Sequence, residues 1–326
     1  MLLVLDHDDI SGLLTMDAAV EVIEQVARAQ ARGDAIFTER ANLMLPDGWM
    51  RMAPAALLHR GVTGYKEFHL SPSRKVRFEI RLFDYPTGRP LAAMDGRLIT
   101  AMRTGAAGGV AIRCCTLPGA SSVGVLGSGE SAASQLDAAL AVRPVSTVNV
   151  YSRNRERRER FAAEMTDRHG VLVTPVKVPE KAVSDAEILL VATDTGGQGP
   201  ALLGEWLHPG IHINSIGSTL PAQREADERV FDLADRIVVD TTGVLRDSGD
   251  AIAAREAGTY HEDRVVEIGE LAGGDGKGRL GPDEITLYKS IGTAIQDVAV
   301  GHWVFEQARI HGAGTEIPDF LSAKPD

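Results

Sequence analysis

Cysteine is nearly missing from this chain. Only Cys114 and Cys115 occur in 326 residues, and two neighbours in sequence are poorly placed for a disulfide or a metal site. They read as buried thiols in a reducing cytoplasm. Long apolar runs are missing too, so no segment reaches membrane-spanning length. Met1-Leu2-Leu3-Val4-Leu5-Asp6 is too short and too soon acidic for a signal peptide. Basic charge is scarce: 34 Lys and Arg stand against 45 Asp and Glu, a formal net charge of −11. That argues against a nucleic-acid or anionic-membrane partner, because such partners are held by clustered Lys and Arg. The nine histidines fall into no ligand spacing, so no metal is expected. Serine-nucleophile motifs, internal repeats and low-complexity segments are also lacking. What remains is a chain with 44% hydrophobic residues, long enough for two domains with sizeable cores.

The most informative stretch is Ser121 to Asn154. The apolar run Val123-Gly124-Val125-Leu126 enters Gly127-Ser128-Gly129-Glu130-Ser131-Ala132, a helical stripe follows through Leu136 and Leu140, and a second apolar run ends at Tyr151. This is the pattern of a strand–helix–strand unit that holds a dinucleotide. Gly127 permits the sharp turn, Gly129 lets the backbone approach a pyrophosphate, and Ala132 keeps the helix close to the sheet. The first N–H groups of the helix then face the phosphates. The tip of the second strand bears on which dinucleotide binds. An NAD enzyme places a carboxylate there for the ribose 2′-hydroxyl, and an NADP enzyme replaces it with a cation. Here the residues are Ser152, Arg153 and Asn154, which favours NADP(H) and leaves NAD(H) possible. Arg157 and Arg158, just beyond, read as the solvated face of the next helix.

Before this unit, Thr15 starts a helix that ends near Gly33, and short strands follow at 49–52, 62–70 and 76–83. The last alternates Val76, Phe78, Ile80 and Leu82 with polar residues, which describes an antiparallel sheet with one apolar face. The turn Asp84 to Gly88 closes it, and a helix runs from about Gly96 to Cys115. Beyond Arg153 the chain alternates helix and strand, with strands at 171–174, 187–192, 211–216 and 237–240. The last of these reads as the final strand of the series. Alternation of this kind implies a parallel sheet whose carboxyl edge gathers ligands. Leu271 to Gly281 reads as a loop, and a long helix runs from about Gly292 to Ile310. The first part of the chain also supplies a cation-rich set, Arg40, Arg51, Lys66, His69, Lys75 and Arg103. Such a set suits a carboxylate substrate, since Arg grips a carboxylate bidentately and a Lys of lowered pKa serves as acid or base. Composition does not choose among them.

The segments Gly64-Tyr65-Lys66, Thr87-Gly88-Arg89-Pro90, Met94-Asp95-Gly96, Thr100 to Ala107 with Arg103-Thr104-Gly105, Gly127-Ser128-Gly129, Pro209 to Gly217 and Ser290-Ile291-Gly292 stand in a characteristic order and spacing. In them the chain resembles the ornithine cyclodeaminase/mu-crystallin family along almost its whole length. The resemblance implies a Rossmann-type parallel-sheet domain at 118–292 and an α+β substrate-binding and dimerisation domain from 1–117 with 293–326. It implies a homodimer whose first domains pair their sheets. By matching position, Arg40, Lys66 and Arg103 would hold a substrate carboxylate, with Lys66 catalytic and Arg103 also near the cofactor. Glu130 and Ser131 would lie at the pyrophosphate, and Thr193, Asn214, Ser215, Ile216, Gly217, Ser290 and Ile291 would line the cofactor.

Three departures from the family carry information. Arg51 replaces an acidic residue three positions before Pro54, Thr219 replaces an Asp after the Asn-x-x-Gly strand end, and Lys75 replaces a threonine. Losing both carboxylates removes the groups suited to the substrate amine and disfavours cyclodeamination. The expectation is therefore an NAD(P)H-dependent reductase of an imine next to a carboxylate, running in reverse as an amino-acid dehydrogenase. Arg51 or Lys75 would extend the site for a second carboxylate, as in iminosuccinate. The rival readings are a cyclodeaminase using bound NAD and a non-enzymatic ligand-binding protein of the crystallin type.

Overall fold

Residues 1–73, 75–274, 278–318 and 321 are described by a computed structural model. Its contacts divide the chain into two units, one formed by Met1–Arg103 with Thr293–Asp326 and the other by Thr104–Gly292. The first boundary falls inside a helix rather than at 117/118, because that one helix contributes residues to both units.

The first unit opens with β1 (Leu2–Leu5), α1 (His7–Ser11) and α2 (Met16–Ala31). The Thr15 side chain caps α2 by accepting from the Ala18 N–H, as the sequence suggests. Then come β2 (Ala35–Phe37), β3 (Ala41–Leu45), β4 (Gly48–Leu57), β5 (Val62–Leu70), β6 (Val76–Asp84), β7 (Pro90–Asp95) and α3 (Arg97–Cys115). β5 spans the expected 62–70 and β6 ends one residue beyond the expected 76–83, β4 is longer than the expected 49–52, and β1, β2, β3 and β7 carry too little pattern to be read in the sequence.

The second unit runs β8 (Ser122–Leu126), α4 (Glu130–Val142), β9 (Thr147–Tyr151), α5 (Arg155–His169), β10 (Val173–Pro175), α6 (Glu180–Val183), β11 (Ile188–Val191) and β12 (His212–Ser215). It continues with α7 (Glu228–Leu233), β13 (Arg236–Val239), α8 (Val244–Asp247), α9 (Gly249–Glu256), β14 (Val265–Glu267), α10 (Ile268–Ala272) and β15 (Thr286–Lys289). The chain then returns to the first unit as α11 (Ala294–His311) and β16 (Thr315–Ile317). Two expectations are corrected. Residues 237–240 are not the last strand, since β14 and β15 follow. Leu271 and Ala272 end α10 instead of opening a loop, and 275–277 of that expected loop lie outside the described residues.

Sheet order in the first unit is β16-β1-β7-β6-β5-β4-β2, with β3 on β4. From β4 to β7 the pairing is antiparallel, and Arg51 stands opposite Phe68, Ala53 opposite Lys66, and Phe68 opposite Phe78. Because side chains alternate along a strand, these residues share one face with Ile80 and Met94. Helix α11 lies against that face: a Cβ on Gly301 would sit 3.2 Å from Ile80 and 3.3 Å from the Met94 sulfur. In the second unit all eight strands are parallel, in the order β10-β9-β8-β11-β12-β15-β13-β14. Chain direction across the sheet reverses between β8 and β11, the switch point at which such sheets bind ligands. Apolar clusters fill both faces, one around Leu136, Val150 and Phe161 and the other around Phe231, Leu287 and Ile213.

Candidate active site

In the first unit, three charged side chains meet in the core. Lys66 projects from the buried face of β5, Arg103 from α3, and Asp297 from the first turn of α11; all three are buried. Asp297 Oδ1 accepts from Lys66 Nζ at 2.9 Å and from Arg103 Nε at 3.0 Å, while an Arg103 Nη donates to Gln296 Oε1 at 3.0 Å. Burial pushes the Asp297 carboxyl up, but Arg103 and Lys66 more than offset this and hold it below the usual carboxylate range. Burial pulls Lys66 down; Asp297 opposes the shift and Arg103 and Arg40 add to it, leaving the ammonium at about 7. Two cations share one carboxylate, an excess of one positive charge in a low-dielectric place. Lys66 has three donors and Arg103 five, more than Asp297 and Gln296 take up.

The candidates Lys66 and Arg103 lie together, joined by Asp297, which sequence reasoning misses. The signal was present: a carboxylate in the apolar run Ala294 to Val300 needs a cationic partner if that run is buried. Arg40, half-buried before β3, is close enough to depress Lys66. Arg51 is buried over Trp49, its guanidinium carbon 4.4 Å from the ring centre and 6.0 Å from that of Phe68. The same Phe68 ring is 5.0 Å from Lys66 Nζ. Lys75 does not join this cluster. It is exposed in the β5–β6 connection, where its carbonyl accepts from the Ser71 amide and hydroxyl. A position on the turn carries it off the face that Lys66 occupies. His69, on the other face of β5, is exposed.

In the second unit, Gly127 leaves β8 with φ of +125°, and a Cβ there would sit 2.2 Å from the Ala192 carbonyl oxygen. Only glycine fits. Gly129 is the N-cap of α4 and offers no side-chain cap, and nothing lies within 4 Å of where its Cβ would be. The N-terminus of α4 thus carries no side-chain cap, which fits a pyrophosphate. Glu130 and Ser131 occupy the exposed first turn, and Ser128 Oγ donates to Ser152 Oγ at 2.8 Å, tying the glycine loop to the tip of β9. Asn154 caps α5 by accepting from the Arg157 amide. Arg153 is exposed beside it and donates to the Asp194 carbonyl at 3.0 Å and to Gln198 Oε1. Arg158 corrects the expectation of a solvated helix face: it is buried over the Tyr151 ring at 5.5 Å and donates to the Ser152 carbonyl at 2.7 Å. It braces the β9 tip from behind.

The remaining cofactor candidates sit at the carboxyl edge of the same sheet, where buried polar groups engage their side chains. Asn214 accepts from His212 Nε2 at 2.9 Å and donates to Gln135 Oε1 at 3.0 Å; burial keeps His212 neutral, at about 3. Thr193 and Ser215 are held by Glu225. Ile216 is buried, and Gly217 donates its amide to Glu225 at 2.6 Å. Ser290 donates to Asp240 at 2.7 Å, as does the Ile291 amide at 3.2 Å. Glu225 and Asp240 were not legible as site residues. Neither falls in a motif, and their partners lie on other strands.

The model of the ornithine cyclodeaminase/mu-crystallin family matches residues 2–312. The chain belongs to that family. A Thermococcus litoralis Δ1-pyrroline-2-carboxylate reductase, solved with NADH and L-proline, superposes with a TM-score of 0.92 at 33% identity, covering 97% of this chain and 100% of that one. An archaeal alanine dehydrogenase, solved as a dimer with NAD, gives 0.91 at 32% identity, with 98% and 99% covered. Iminosuccinate reductase of Paracoccus denitrificans is 31% identical, over 97% of this chain and 99% of the relative. Among the described residues no helix is long and apolar enough to cross a membrane.

Proposed function

We propose that the protein is an NAD(P)H-dependent oxidoreductase that reduces a C=N bond next to a carboxylate to the corresponding amino acid, and runs in reverse as an amino-acid dehydrogenase. The observation that carries this reading is the buried Lys66–Asp297–Arg103 cluster, with its surplus positive charge and unfilled donors. Arg103 holds the substrate carboxylate through a planar guanidinium that Asp297 and Gln296 keep in one orientation. Arg40 adds a second positive charge. Lys66, at about 7, is divided between its two protonation states near neutrality, the condition for a general acid in one direction and a base in the other. It delivers the proton to the imine nitrogen. The bound dinucleotide supplies the hydride equivalent.

We further infer a preference for NADP(H), on the cation Arg153 at the β9 tip and the absence of a carboxylate among Ser152, Arg153 and Asn154. All three relatives are solved with NADH or NAD, so the preference for NADP(H) rests on the β9 tip of this chain alone. The substrate we favour is a dicarboxylic imine of the iminosuccinate type. Arg51 supports it: a buried guanidinium over Trp49, on the same sheet face as Lys66, is a cation of the kind that grips a carboxylate. Lys75 takes no part. A homodimer is also proposed. The sheet face opposite Lys66 carries Ile36, Leu43, Met50, Tyr65 and Phe83 with Ile36 and Leu43 exposed, and a second copy would cover it.

The test is a screen of NADPH and NADH oxidation by the purified protein against cyclic imines and against α-keto acids with ammonia. Net oxidation with a dicarboxylic keto acid plus ammonia, and the amino acid as product, supports the reading. Ammonia release from a diamino acid with no net redox change overturns it in favour of a cyclodeaminase. Tight binding of the dinucleotide with no turnover on any member of the panel overturns it in favour of a binding protein.

A further inference from the structure

One buried carboxylate in the second unit takes hydrogen bonds from both loops that leave β11 and β12. Glu225, in the segment between β12 and α7, is buried. Its Oε1 accepts from the Thr193 amide and from Thr193 Oγ1 at 3.1 Å. Its Oε2 accepts from the Gly217 amide at 2.6 Å and from Ser215 Oγ at 3.1 Å. Four donors fill the acceptor capacity of one carboxylate. Thr193 follows β11, Gly217 follows β12, and β11 and β12 are neighbours in the sheet, so a single side chain fixes the first residues of two adjacent loops at the carboxyl edge. Gly217 is shaped by the same contact: a Cβ there would lie 2.3 Å from Glu225 Oε1 and 2.5 Å from the Thr193 carbonyl oxygen.

The staple is itself supported. Lys289 at the end of β15 is fully buried, its Nζ 3.2 Å from Asp250 Oδ2, 3.1 Å from Ser215 Oγ and 3.9 Å from Glu225 Oε2. Asp250, at the start of α9, accepts with Oδ1 from the Glu225 amide at 2.7 Å and the Ala226 amide at 3.2 Å, and Arg224 Nε lies 3.5 Å from it. The carboxylate that holds the loops is thus held in turn, backbone by Asp250 and charge by Lys289. A buried charge arrangement of this kind costs desolvation, and well-packed apolar residues would give stability more cheaply. What such residues cannot give is a fixed set of amide directions on two loops at the ligand-binding edge.

We propose that Glu225 is a positioning residue for the dinucleotide, acting through Thr193 and Gly217, with Lys289 and Asp250 as its support. The inference rests on the proposed placement of the dinucleotide at this edge. Glu225→Gln keeps the shape and turns one acceptor into a donor facing an N–H or O–H, so one loop is released. In the full-length enzyme, titrated with NADPH by fluorescence, the dissociation constant should rise at least tenfold. At saturating NADPH, kcat should change by less than threefold, because the substrate cluster of the first unit is untouched. Glu225→Asp, which retains the charge for Lys289 but is one methylene too short to reach both loops, should raise the NADPH constant by an intermediate factor while keeping the thermal midpoint near wild type. A folded Glu225→Gln protein that binds NADPH as wild type does overturns the proposal. If that variant does not fold, Glu225→Asp decides: weakened binding at an unchanged midpoint supports the positioning role, and wild-type binding overturns it. Wild-type protein that binds no dinucleotide would instead refute the oxidoreductase reading, a distinct outcome read before any variant is made.

Discussion

Replacing Asp297 with Asn separates the chemistry of the buried cluster from its packing. The change removes one negative charge and little volume from a site where Oδ1 lies 2.9 Å from Lys66 Nζ and 3.0 Å from Arg103 Nε. A unit charge at about 4 Å is worth on the order of 4 kcal/mol at an effective dielectric of 20, and a pKa unit corresponds to about 1.4 kcal/mol. Even a third of that interaction lowers Lys66 by about one unit. Lys66 stands at about 7 in the native protein. As a proton donor it is active in its charged form, so kcat/KM for imine reduction is highest below that value and falls as pH rises through it. In Asp297→Asn the fall should begin at least about one unit lower, and at pH 7 the protonated fraction drops from roughly a half to roughly a tenth, a fivefold loss from titration alone. Stability should also fall, by about 3–5 kcal/mol, since the Arg103 guanidinium is left buried without its carboxylate partner. The assay is a pH series of NADPH oxidation at limiting substrate, with the denaturation midpoint measured beside it. A folded Asp297→Asn enzyme that keeps the wild-type midpoint of its pH profile refutes the assignment of Lys66 as the proton donor that Asp297 tunes.

Three further outcomes follow. Arg153→Ala should raise the KM for NADPH by roughly tenfold and leave NADH almost unchanged; equal effects on both, or a wild-type preference for NADH, would contradict the NADP assignment. Arg51→Ala should weaken a dicarboxylic imine about tenfold more than a monocarboxylic analogue, while Lys75→Ala should change neither by more than about twofold. Tyr65→Glu on the open sheet face should shift the protein from dimer to monomer in sedimentation or light scattering, and an unchanged mass would rule that face out as the dimer contact.

What the sequence discloses about this fold follows from how local each signal is. Gly127, Gly129 and Ala132 are fixed by a turn and a helix start within six residues, and that turn forms with Gly127 at positive φ. The alternation of Val76 to Leu82 is equally local, but only the β5–β6 pairing, with Lys66 opposite Ile80 and His69 opposite Arg77, separates Lys66 from His69. Strand β15 is different. It enters the sheet between β12 and β13 after a long excursion, and four residues containing a lysine do not announce a central strand. Asp297 pairs with a lysine far away in the chain, and Glu225 with loops of two other strands, so their roles exist only once the sheets have formed. Arg51 and Lys75 look alike in sequence. Burial against Trp49 and exposure at a turn separate them.

The central claim is that Lys66 passes a proton to an imine whose carboxylate Arg103 holds, using a hydride equivalent from bound NADPH. The measurement that bears on it most directly is a single turnover with enzyme-bound NADPH in stoichiometric amount, a dicarboxylic keto acid with ammonia as the source of the imine, and the amino-acid product counted. Wild-type protein should form one amino acid per NADPH consumed, and Lys66→Met should bind NADPH with wild-type affinity yet form none on the same timescale. Lys66→Met turning over at the wild-type rate, or wild-type protein releasing ammonia from a diamino acid with its dinucleotide unchanged, would contradict the account.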